Sequence, residues 1–188
     1  MTKGRLEAFS DGVVAILITI MVLELGKPSA PTWHALAESG HHILIYALSF
    51  VFLGIYWNNH HHLFHIVERV SAAVLWTNLH LLFWLSLVPF TTAWMGEAGL
   101  QPAPVASYGV VQLLAAVAFY LMTLALRGAN GRNSRVAQAL GRDVKGKISI
   151  AIYVVSLPIA LTWPPGAIAL YALVSTMWLV PDRRMERN

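Results

Sequence analysis

Three short groups of polar residues interrupt an otherwise apolar chain, and their types set the chemistry open to it. The first is Arg5-Leu6-Glu7-Ala8-Phe9-Ser10-Asp11. The second is Trp57-Asn58-Asn59-His60-His61-His62, and the third is the pair Asn78 and His80. Histidines can ligate a metal, relay protons or hold a hydrogen-bond network. His60 and His61 point about 100° apart on a helix, so the adjacent histidines cannot all serve one site. Only Glu68 stands close in sequence to support a metal. These features favour hydrogen bonding over metal ligation or proton relay, although histidines titrate near neutral pH and would admit modulation by pH. The chain has no cysteine and no HExxH or GxSxG motif, so the common nucleophiles and hydrolytic metal sites are missing. Neither an enzyme, nor a cofactor, nor a metal site is expected.

The elements that position these groups are membrane helices. Of the 188 residues, 57% are hydrophobic and 12% charged. A soluble domain has about a quarter charged residues, and a chain this short could not cover so much apolar surface in water. Apolar runs span approximately 6–25, 42–64, 72–94 and 105–126. A last stretch is broken by Trp163-Pro164-Pro165-Gly166 into 148–163 and 167–180. Pro-Pro-Gly is a turn signal, so this stretch reads as a tight hairpin of two short helices, with Pro158 a possible kink. The expected architecture is all-α: one membrane domain, 1–188, of six transmembrane helices.

Charge tests that count. With the N-terminus inside, the cytoplasmic segments hold Lys3, Arg5, Arg69, the six basic residues of loop 127–147, and Arg183, Arg184 and Arg187. Together these are 12 of the 13 Lys and Arg; Lys27 alone falls outside. The positive-inside rule describes this bias. Basic segments flank the last stretch on both sides, so it crosses an even number of times. Both chain ends are therefore expected in the cytoplasm, with the protein in the plasma membrane. The net charge of +4 reads as a topology signal with weak attraction to anionic lipid, not as nucleic-acid binding. A signal peptide would begin similarly, but Glu7 and Asp11 are acidic where a basic n-region belongs.

On the first helix, Phe9, Gly12, Ile16, Thr19, Ile20 and Leu23 form one narrow stripe at about 100° per residue. Two readings stay open. Periodicity alone favours a helix–helix seam. The alternative is a pore lining, with apolar rings that gate by dewetting and one hydroxyl layer at Thr19.

Arg5-x-x-x-Phe9-Ser10-Asp11, opening the first helix, resembles the signature of the transmembrane protein 175 family, whose animal members are endolysosomal potassium channels. Chain length, the six-span layout, the Trp57/Asn58/His60 group and the short last hairpin agree with it. The resemblance implies a homotetramer around a pore lined by the first helix, with passive conduction of potassium and other monovalent cations. It implies a main hydrophobic constriction at Ile16, further apolar layers at Ile20 and Leu23, and a hydroxyl layer at Thr19. It also implies that Arg5, Ser10 and Asp11 tie the first helix to its neighbours, with Trp57, Asn58, His60 and Asn78 as partners. In that arrangement Asp11 and Glu24 would attract cations at the inner and outer regions. The rival reading is a secondary transporter or metal-ion carrier using the histidine-rich belt. Carriers usually show internal repeats and broken helices at mid-membrane, and no convincing repeat is visible.

Overall fold

The computed structural model of the protein describes residues 2–141 and 143–179. Arg142, Val180, Arg183, Arg184 and Arg187 therefore lie outside the described residues. Helix α1 spans Lys3–Glu24. It ends where Gly26 takes φ 66°, a left-handed conformation that favours glycine, and Pro28 follows. A short α2, Trp33–Glu38, is capped by the Thr32 hydroxyl, which accepts from Ala35 N at 3.2 Å. Helix α3 spans Gly40–His65. Helices α4 (Ala72–Ser86) and α5 (Val88–Glu97) form one bent span broken at Leu87. Pro89 has no N–H to offer the turn before it, which gives the break its cause.

Helix α6, Pro102–Asn130, opens on a proline, where the missing N–H costs nothing. Its 29 residues reach about 44 Å at 1.5 Å per residue. A second short helix, α7 (Arg135–Leu140), occupies the segment expected as an open loop. The Ser134 hydroxyl caps it by accepting from Ala137 N. Helix α8, Val144–Thr162, is capped by Asp143 and contains Pro158. Trp163 breaks the path, and α9 follows at Pro164–Leu179. The hairpin expected at Pro164-Pro165 is thus present, with the break one residue earlier.

Among the described residues, five spans are long and apolar enough to cross a membrane: Lys3–Glu24, Gly40–His65, Ala72–Glu97, Pro102–Asn130 and Val144–Thr162. Helix α9 is apolar but shorter, about 24 Å against a hydrocarbon core of about 30 Å. Helix α6 is central and packs against α4, α5, α8 and α9, while α1 leans on α3, α4 and α5. The packed core runs through Leu53, Leu63, Phe64, Val74, Leu85, Met95, Met122 and Leu126.

Candidate functional site on the first helix

Helix α1 has two faces. Leu6, Ser10, Val14, Leu17 and Met21 recur every three or four residues and are buried against the rest of the chain. About 130° around the helix lies the other stripe. Within one chain Phe9 is 51% exposed, Ile16 58%, Ile20 39% and Leu23 78%, and Gly12 and Thr19 are exposed with them. The stripe is therefore not a seam inside the chain. Thr19 donates its hydroxyl to Ile16 O at 2.8 Å, which leaves the oxygen's lone pairs outward.

The buried face is fastened toward its N-terminal end by polar contacts from two other spans. Asn78 on α4 donates from Nδ2 to Ser10 Oγ at 3.0 Å. Its Oδ1 lies 2.9 Å from His60 Nε2 on α3. With the amide so oriented, Oδ1 accepts and His60 carries its proton on Nε2. Ser10 in turn donates to Leu6 O at 2.9 Å. Ser10, His60 and Asn78 are all buried, so every link replaces a contact that water would otherwise supply. The Phe64 ring stacks on His60 at 4.3 Å and fixes the imidazole plane. Beside this network, Trp57 Nε1 donates to Asp11 Oδ1 at 3.0 Å, and the indole stacks on His61. The Lys3 ammonium donates to His65 O at 3.0 Å.

Not every residue expected in this network joins it. Arg5 is exposed and has no hydrogen bond or ion pair among the described residues. It sits within about 20° of Ile16 around α1, on the stripe's side. Asn58 is exposed too, because one residue turns it about 100° away from Trp57. His61, His62 and His80 face outward, and His80 accepts from Trp84 Nε1 at 2.9 Å. No group of three or more histidine, aspartate or glutamate side chains converges among the described residues. Asp11 and Glu24 do not lie on the stripe: they stand about 140° and 80° around the helix from Ile16. Glu24 lines a groove with His42, Tyr46 and Thr92 instead.

Two tethers carried no motif. Asn130, at the end of α6, accepts from Glu68 N and Arg69 N at 3.1 and 2.9 Å and donates to Arg69 O at 3.0 Å. It pins the turn between α3 and α4. In the opposite half, Thr92 donates to Ser49, and Ser49 donates to the Tyr108 hydroxyl at 3.2 Å, joining α5, α3 and α6. Isolated polar residues on apolar helices are the signal that sequence offers for such contacts, and it does not say which pairs meet.

Comparison with known proteins identifies the family. The family model described as Endosomal/lysosomal potassium channel TMEM175 matches residues 5–89, from the first motif into α5. A protein of Chryseobacterium sp. (strain P1-3), named a potassium channel, is 47% identical over 188 residues, covering 100% of this chain and 98% of that one. A Streptomyces collinus protein, also named a potassium channel, is 33% identical over 188 residues and 90% of each chain. Among solved structures, a crystal structure described as a lysosomal potassium-selective channel TMEM175 homolog from Chamaesiphon minutus superimposes with a TM-score of 0.80. It is 26% identical and covers 97% of both chains. Identity that runs the whole length of the chain, joined to a shared fold, means that this protein belongs to the TMEM175 potassium channel family.

Proposed function

We propose that the protein is a passive, potassium-preferring channel for monovalent cations. In this reading four copies of a single six-helix domain surround a pore lined by α1. The observation that carries it is the apolar stripe of α1, which the rest of the chain leaves uncovered. Four copies of Ile16 around an axis would form a dry neck that a hydrated ion crosses poorly. Widening or rotation of α1 would let the neck wet and conduct. Ile20 and Leu23 would add apolar layers toward the outside, and Thr19 a ring of hydroxyl oxygens between them.

The polar contacts of Ser10, Asp11, Trp57, His60 and Asn78 would hold α1 at a fixed rotation, so that the stripe faces the axis. Arg5, Phe9 and Asn58 lie outside those contacts within one chain, and a neighbouring copy is their expected partner. Both chain ends would sit in the cytoplasm of a plasma-membrane protein, as the basic segments indicate. The carrier reading has less support, because His60 is committed to Asn78 and the other histidines of the belt diverge.

The test is potassium flux into liposomes holding the purified protein. Ile16→Asn should raise basal flux. Unchanged flux across substitutions at Ile16, Ile20 and Leu23 would exclude the pore assignment.

A further inference from the structure

Beside the exposed stripe, in the N-terminal half of α1, a groove runs between α1 and α4. Its volume is about 390 Å³, and it is lined by Leu6, Phe9, Leu75, Trp76, Asn78 and Leu79. A void of that size is no packing defect, since protein interiors hold few gaps larger than a water molecule. Trp76 is 73% exposed, and Phe9 and Leu79 are exposed beside it, so the groove opens away from the chain.

The two flanks of the stripe differ. Measured around α1 from Ile16, Phe9, Ile20, Val13 and Leu6 stand about 20°, 40°, 60° and 80° to one side, the side of the groove. To the other side Gly12, Thr19 and Ala8 stand about 40°, 60° and 80° away. All three are exposed. One flank is bulky and the other is small. Gly12 carries the most information. A Cβ added to it would meet no heavy atom within 4 Å, so no contact among the described residues requires a glycine there. A glycine inside a helix costs about 0.5–1 kcal/mol relative to alanine, and lipid tails accept either residue.

With Ile16 pointing at the axis of four copies, as the pore reading has it, each neighbouring α1 lies about 45° to either side of that direction. One neighbour then faces Phe9, Val13 and the groove. The other faces Gly12, Thr19 and Ala8. A closed ring joins two unlike faces at every contact, so it needs a matching pair of this kind. We infer that the groove between α1 and α4 seats the α1 of a second copy of this chain, with Phe9 of one copy entering the hollow between Ala8 and Gly12 of the next. This contact rests on the pore reading and gives Gly12 a cause, because a side chain there would stand where the Phe9 ring goes. Small residues at helix contacts in lipid let the backbones approach in the same way.

The chain has no cysteine, so introduced thiols report contacts without background. Full-length chains carrying Phe9→Cys and chains carrying Gly12→Cys, each with its own tag, are co-expressed and oxidised in liposomes. The expected product is a covalent dimer bearing both tags, in several-fold excess over the dimer from either variant alone. Leu23→Cys, at the far end of the stripe, serves as the control for the pore reading and should give a covalent dimer across the axis. A Leu23→Cys dimer without the mixed dimer would overturn the contact, keep the pore and leave the groove to lipid. Absence of both dimers would overturn the contact and the pore reading together. Native mass spectrometry supplies the second measurement. Gly12→Leu should lower the tetramer fraction about tenfold by overpacking the hollow, and Phe9→Ala in the same chain should restore it. An unchanged tetramer in Gly12→Leu would overturn the contact, and the cross-linking stands even if that variant does not fold.

Discussion

Ile16 and Asn78 do opposite work on helix α1 and its surroundings. Ile16 is more than half exposed in the single chain, on the stripe of α1 that the rest of the described chain leaves uncovered. Ile16→Asn should raise basal potassium flux by about tenfold or more, a barrier change of about 1.4 kcal/mol, because an amide holds water in the neck. Asn78 is buried and serves two partners at once. Asn78→Ala should destabilise the protein by about 1–3 kcal/mol, because His60 is left buried without an acceptor. Denaturant titration in detergent checks this, and a wild-type midpoint would contradict it. The residue types of this site were legible in the sequence, but the pairings were not. Arg5 and Asn58 look as eligible as Ser10 and His60, and only the helix rotation separates them. Rotation is a product of packing, which no local pattern encodes.

Among the elements, the long apolar runs gave up their position to within a few residues, since membrane helices are set by hydropathy and length. What escaped was shorter. Helices α2 and α7 have six residues each, too few for a periodicity, and their hydroxyl caps at Thr32 and Ser134 are common in loops as well. The break at Leu87 follows from Pro89, which a hydropathy profile passes over. Asn130 shows how such joints are fixed, with one side chain holding two backbone N–H groups of the turn between α3 and α4. Asn130→Ala should leave the helices intact and loosen that turn by about 1 kcal/mol. Amide exchange at Glu68 and Arg69 should then quicken about fivefold while the core of α6 is unchanged. Equal exchange in both proteins would show that the turn is held by something else.

At the scale of the whole molecule, one chain is an incomplete object. It exposes apolar side chains on every flank, as a protein in lipid does, but α1 also turns a continuous stripe outward while a polar network locks its opposite face. Charge bias sets an expectation for the topology, and family membership gives the class of transport. Neither gives the assembly, because oligomer symmetry depends on how faces meet and not on which faces are apolar. The most direct measurement is the structure of the protein in lipid nanodiscs, viewed down its symmetry axis. The account predicts four copies, α1 innermost, and the four Ile16 side chains closing the narrowest point. A monomer, or an oligomer with α1 at the lipid perimeter, would contradict it.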